Sequence, residues 1–228
     1  YKSLWVVPSL NSLKKHGISW IVMTNLQHEG VYMRQLSDKV ILTDCDGVLL
    51  DWEYHFYKWL KATEGYERLS DHYNVAKAIG VEQQTGSRFV NKFNRSEEMK
   101  TLSPLRDAIK YVRKLHEEHG YIFHVITSQT NCRLAQEYRK ENLRNVFGAT
   151  MWDGFTILNT GQDKDEALKE WEGTECWWLE DKAANIEMGN KVGLRGILID
   201  HSWNKNNTYE CDRAKTWKDV YKLITGEV

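Results

Sequence analysis

The chain reads as an α/β protein built on a parallel sheet, and two observations predict this. From Lys39 onward, short apolar runs alternate with amphipathic, helix-patterned stretches, the alternation that calls for parallel strands joined by right-handed crossovers. Three of the apolar runs end in polar residues: Asp44 to Asp46, Thr127 with Ser128, and Glu180 with Asp181. In open parallel sheets ligands bind beyond the carboxyl ends of the strands, so three such ends mark one site.

Each element has its own justification. Val40 to Thr43 is a short apolar run ending in the acidic, glycine-containing turn Asp44-Cys45-Asp46-Gly47. Pro104 to His119 has Leu105, Ala108, Ile109, Val112 and Leu115 at three- and four-residue steps, proline in its first turn and Gly120 at its end. Those features predict an amphipathic helix. Tyr121 to Ile126 reads as a buried strand closed by Thr127 and Ser128, Cys132 to Phe147 as a helix, and Thr150 to Leu158 as an extended segment. Asp165 to Trp171 is a short helix, Cys176 to Leu179 a strand ending at Glu180 and Asp181, and Ala183 to Val192 a helix. Arg195 to Ile199 is a strand and Thr216 to Ile224 a closing helix.

The segment from Trp52 to Leu102 breaks the alternation, being aromatic, charged and helix-prone. It predicts a helical insertion over the first strand's end. The expected organisation is an extension at 1–32 without assigned role, a catalytic core at 33–51 and 103–228, and the insertion at 52–102. Met33, just ahead of the first core strand, is a candidate original start.

Composition narrows the function. A chain of 228 residues holds one α/β domain with an insertion, and 41% hydrophobic residues suffice for a packed core. A formal charge of −1 supplies no general field toward nucleic acid or anionic membrane. Small substrates are therefore expected over polyanions. Cys45, Cys132, Cys176 and Cys211 have no ligand-like spacing, so no disulfide framework or zinc site is expected, and a cytoplasmic setting is. No run approaches the roughly 20 apolar residues of a membrane span.

Two carboxylates at one strand end, Asp44 and Asp46, can hold a hard divalent cation while one attacks a phosphorus centre and the other moves a proton. The competing reading is a solvated acidic turn. Context favours chemistry. The segment Val40 to Leu49 resembles the first motif of the haloacid dehalogenase superfamily of phosphatases. Its later motifs have candidates in order: Val125-Ile126-Thr127 with Ser128, then Lys164 ahead of Glu166-Ala167-Leu168, then Trp178-Leu179-Glu180-Asp181 followed by Asn185 and Gly193.

That resemblance implies a Rossmann-like three-layer sheet with the insertion as a small helical cap. It implies Asp44 as nucleophile, Asp46 as acid/base and Mg²⁺ as cofactor. The ion would be held by Asp44, the Asp46 carbonyl and Asp181, with Glu180 acting through a water or orienting Asp181. Thr127 and Ser128 would hold phosphoryl oxygens at a helix N-terminus, the alternative being an ordinary cap. Lys164 would neutralise the phosphoryl group, the alternative being a surface lysine, with Lys169 and Lys182 close by. His124 is expected to be a hydrogen-bonded core residue.

A capped site implies a small phosphoester as partner, with no nucleic-acid polymer and no membrane. Asp46 to Glu53, Ile197 to Asn204 and Trp217 to Val220 are similar to the 5′(3′)-deoxyribonucleotidase group. That similarity implies a nucleoside monophosphate. On the cap, Phe56, Trp59, Tyr73, Phe89 or Phe93 are candidates to stack on the base, the alternative being that most of them simply pack the cap's small core. Sugar phosphates are the alternative substrates. A carbon–halogen hydrolase would need neither Asp46 nor Asp181, and an inactive phosphate-binding protein would be expected to have lost one of Asp44, Asp46 and Asp181.

Overall fold

A computed structural model describes residues 39–227, together with a two-residue antiparallel pairing of Ile21–Val22 with Arg34–Gln35. Apart from that pair, the segment 1–32 and Met33 lie outside the described residues.

Six parallel strands form the sheet: β1 (Val40–Thr43), β2 (Ile122–Gln129), β3 (Trp152–Asn159), β4 (Trp177–Glu180), β5 (Arg195–Ile199) and β6 (Asp212–Ala214). Their spatial order is β3-β2-β1-β4-β5-β6. The first strand is thus central, with β2 on one side and β4 on the other. All four of its residues are buried, as a parallel strand covered on both faces requires.

Helices cover both faces, giving the expected three layers. Side chains alternate along each strand, and the two sides feed different cores. Ile41, Val125, Leu179 and Ile197 pack with α4 (Ala108–Glu117), α5 (Arg133–Phe147) and α8 (Trp217–Thr225). Val40, Leu42, Trp178 and Leu198 pack with α6 (Asp165–Lys169) and α7 (Ala183–Lys191). Trp178 lies so close to α7 that a Cβ on Gly189 would sit 2.5 Å from its ring, which is why a glycine occupies that turn.

The insertion consists of α1 (Trp52–Glu64), α2 (Val75–Ile79), α3 (Gln83–Asn94) and a 3₁₀ turn, Glu97–Lys100. Asp51 caps α1 by accepting from the Tyr54 amide, and left-handed Gly65 and Gly80 close α1 and α2. Its two ends are stitched together. The Asp51 amide donates to the Ser103 carbonyl at 2.9 Å and the Leu105 amide to Leu49 at 2.8 Å.

The structure differs from the sequence reading in three places. The helix expected from Pro104 begins at Ala108. Pro104 instead bridges to Leu50, Arg106 takes φ +48°, and Asp107 turns its carboxylate to the amides of Trp217 and Lys218 at the start of α8. β2 continues through Thr127 and Ser128 to Gln129, because β3 pairs with it along that whole length. The three-residue edge strand β6 was not expected. Its charged sequence, Asp-Arg-Ala, carries no apolar run to announce it.

Candidate active site

The polar strand ends converge as the alternation predicted. Asp44, Asp46, Thr127, Ser128, Lys164, Glu180 and Asp181 all line one cavity of about 580 Å³ between the sheet's carboxyl edge and the insertion.

Asp44 follows β1 directly and is nine-tenths buried. One carboxylate oxygen accepts from the Cys45 amide at 2.7 Å, and the other meets the Lys164 ammonium at 2.9 Å. Burial raises the carboxyl to about 6 against the opposing pull of Lys164. Lys164 stands at the N-cap of α6, is 3% exposed, and also touches Glu180 at 2.8 Å. Burial alone would lower it, yet Asp44 and Glu180 together hold it above its ordinary value. The neighbouring lysines do not compete: Lys169 pairs with Glu166 on the surface, and Lys182 is exposed.

Glu180 ends β4 with its carboxylate occupied by donors, accepting from Lys164, from the Lys182 amide at 2.6 Å and from the Asn185 side chain. Although burial pushes it the other way, these donors, Lys164 foremost, hold it below the usual carboxylate range. Asp181 is the reverse case. Burial, then the charges of Glu180 and Asp44, push its carboxyl well above the usual range. Carboxylate oxygens of Asp44, Glu180 and Asp181 lie within 4.8 Å of one another. Three buried carboxylates facing one lysine leave negative charge uncompensated, and an all-oxygen donor set suits a hard divalent cation.

The turn at Gly47 permits this closeness. Its φ is +73°, and a Cβ there would lie 2.4 Å from the Asp181 carboxylate. His201 holds the turn from behind, donating from Nε2 to the Gly47 carbonyl at 2.7 Å while stacking on Trp203 at 4.2 Å. Burial lowers His201 to about 4, so the ring is neutral near pH 7.

Thr127 is buried, whereas Ser128 is partly exposed. Neither stands at a helix N-terminus, since α5 starts at Arg133 with Cys132 as its N-cap. Any amide contribution there comes from the strand end and loop instead. His124 is a core residue, with ring nitrogens 2.8 Å from both Asp153 and Thr156.

Of the five aromatic candidates on the insertion, only Tyr73 lines the cavity. Phe56, Phe89 and Phe93 are buried in the same apolar cluster as Ile41 and Val125, and Trp59 packs against it. Trp52, Tyr57 and Trp203 line the cavity instead. The sequence reading also missed Arg139, a fully buried arginine on α5 whose guanidinium grips both Asp46 oxygens. A charged residue on a helix's apolar face was the available signal.

Comparison with known proteins bears on family and fold. The sequence model of the family described as 5′ nucleotidase, deoxy (Pyrimidine), cytosolic type C protein matches residues 38–227. An uncharacterised 32.4 kDa protein from the Gp30-rIII intergenic region of Enterobacteria phage T4 is 30% identical over 191 residues, covering 79% of this chain and 67% of that protein. Among solved structures, a haloacid dehalogenase-like hydrolase from Streptococcus pneumoniae matches with TM-score 0.58 at 11% identity, over 82% of this chain and 98% of its own. A haloacid dehalogenase phosphatase from Thermococcus onnurineus matches with TM-score 0.58 at 15% identity, over 83% and 99%. The chain belongs to the cytosolic type C 5′-nucleotidase family, has the haloacid dehalogenase fold, and is a hydrolase of phosphate esters.

Proposed function

We propose that this member of the 5′-nucleotidase family hydrolyses nucleoside monophosphates in two steps, with Asp44 as covalent nucleophile and Mg²⁺ as cofactor. The observation that carries the reading is the placement of Asp44. Its carboxylate is fixed by the Cys45 amide and Lys164, at the floor of the cavity and beside two further buried acids.

Asp44, Asp181 and the Asp46 carbonyl would hold the ion, with Glu180 orienting the site through the donors it already binds. When bound, the ion would neutralise phosphoryl charge and Asp44 repulsion toward an anionic substrate. Lys164, in contact with Asp44, would do the same, and Thr127 with Ser128 offers hydroxyls to the phosphoryl oxygens. Asp44 attacks phosphorus as Asp46 protonates the departing oxygen. Asp46 then takes a proton from the water that cleaves the aspartyl-phosphate.

The insertion serves as a cap, and a cavity of about 580 Å³ suits a nucleoside monophosphate. Tyr57, Tyr73, Trp52 and Trp203 supply faces for a base, while Asn74, Gln83 and Ser87 supply polar edges.

Phosphate release from a panel of nucleoside and sugar monophosphates, with Mg²⁺ or with EDTA, tests the reading. Mg²⁺-dependent turnover several-fold faster on nucleotides, as kcat/KM, is expected. Equal rates on both classes would remove the nucleotide assignment, and turnover unaffected by EDTA would remove the metal.

A further inference from the structure

Arg139 belongs to none of the four motifs, yet it is 1% exposed and lies directly behind the Asp44 turn. Its two terminal nitrogens take the two Asp46 oxygens, one to each, the Nη2 contact being 3.1 Å. Nη1 also lies 3.0 Å from the Cys45 sulfur and Nη2 4.0 Å from the Met99 sulfur. The Nε finds no acceptor among the described residues. Among the described residues, Asp46 is therefore the one carboxylate that satisfies this buried cation, while Asp46 itself faces the cavity with a quarter of its side chain exposed.

Such an arrangement constrains orientation. A carboxylate on a short side chain at a cavity wall turns freely unless both oxygens are held, and a planar guanidinium holds both at once in one plane. A lysine has no such fork. Each carboxylate oxygen carries two lone pairs, so the fork leaves one on each for a proton.

We infer that Arg139 is a positioning residue that fixes the plane of the Asp46 carboxylate toward the leaving oxygen of the substrate. The inference rests on the two-step reading above. In the first step a bond forms from an Asp44 oxygen to phosphorus as the bond from phosphorus to the leaving oxygen breaks. That oxygen keeps the electron pair and receives the Asp46 proton. In the second step a water oxygen bonds to phosphorus, the electron pair of the phosphorus–Asp44 bond returns to Asp44, and a water proton goes to Asp46. Both steps need the Asp46 carboxyl aimed at an oxygen on the line of displacement. The first is the more demanding when the leaving group is a poor one.

The test is leaving-group dependence. Arg139→Met and Arg139→Lys are assayed with Mg²⁺ on p-nitrophenyl phosphate, phenyl phosphate and a nucleoside 5′-monophosphate, reading kcat and KM separately. p-Nitrophenolate departs without a proton, whereas a sugar alkoxide requires one. Arg139→Met is expected to lower kcat/KM on the nucleotide about 100-fold and on p-nitrophenyl phosphate less than about 5-fold. The nucleotide's loss should lie in kcat, with Arg139→Lys falling between wild type and Arg139→Met. If circular dichroism shows Arg139→Met unfolded, Arg139→Lys is read on the same series, since it keeps the charge and loses the fork. A drop of equal factor on all three substrates, or no drop, overturns the inference. A wild-type protein inactive on every substrate sinks the two-step reading, and this inference falls with it.

Discussion

The two walls of the cavity are built by opposite rules. The floor is made of ionisable groups: Asp44, Lys164, Glu180 and the Asp46–Arg139 pair, each tied to named partners, with Asp181 buried beside them. The insertion is made of aromatic packing. Trp52 stacks on Phe56 at 4.6 Å, and Phe93 meets both edge-on at 5.6 and 5.5 Å. A floor residue is therefore replaceable only by losing chemistry. An insertion residue divides by facing: inward ones are expected to carry stability, and cavity-facing ones, on the proposed function, selectivity.

The sharpest way to break that comparison is Asp44→Asn. An amide is neither anionic nor a competent nucleophile, so turnover should fall by about 10⁴-fold or more. The thermal midpoint should barely move, because Lys164 keeps Glu180. Retained activity in purified protein would end the nucleophile assignment. Gly47→Ala comes next. Its Cβ would displace the Asp181 carboxylate and require a left-handed alanine, so the acid cluster shifts by a few tenths of an ångström or more. A loss of about 100-fold, steepest at limiting Mg²⁺, is the expected result of such misplacement.

The insertion is probed by a contrasting pair. Phe56→Ala empties a fully buried site and should cost about 3–5 kcal/mol of stability on chemical denaturation. Tyr73→Ala removes a half-exposed ring and should leave stability nearly unchanged. It should lower kcat/KM on nucleotides about five- to hundred-fold, the range of one lost base stack, and spare a small generic phosphoester. If the two variants exchanged phenotypes, the facing argument would be wrong.

The smallest effect concerns acid. His201 is held near 4 when folded, against about 6.5 unfolded, by burial and by Arg106, with Asp51, Asp200 and the Gly47 carbonyl pulling the other way. Its folded value is depressed, so the stability it confers is full above about pH 6.5 and drains away as the pH falls toward 4. With its partial exposure allowed for, about 1–2 kcal/mol should be lost by pH 5. His201→Gln should flatten that part of the stability–pH curve, measured by denaturant unfolding at pH 7 and pH 5. An unchanged slope would mean that His201 is not the acid-sensitive support of the Gly47 turn.

The same contrast governs what the sequence reveals. Strand ends are legible because a charged residue after a buried run has to meet a partner, so Asp44 and Asp181 stand out in the sequence, whereas Lys164, at a helix start, is reached only through the superfamily resemblance. Side-chain facing within the insertion is not legible. Phe56 and Tyr57 are adjacent, yet one is fully buried and the other lines the cavity. The exit of β2 was misread because Thr127 and Ser128 resemble a helix cap, whereas pairing with β3, a non-local contact, keeps them extended. Arg139 escaped because its partner lies 93 residues away.

The central position of β1 has a consequence for synthesis. Asp44 emerges before the rest of the sheet, but β1 acquires its second neighbour only when Trp177–Glu180 appears, and Lys164 and Asp181 arrive close to that same stretch. The turn after β1 is closed later still, when Trp217 donates to the Val48 carbonyl at 2.8 Å and Asp107 receives the α8 amides. The chain must therefore be made through Trp217 before the first motif can be held in place. A nascent chain that carries Asp44 carries no working site, and a chain cut before Trp217 should yield inactive protein although every acidic residue is present.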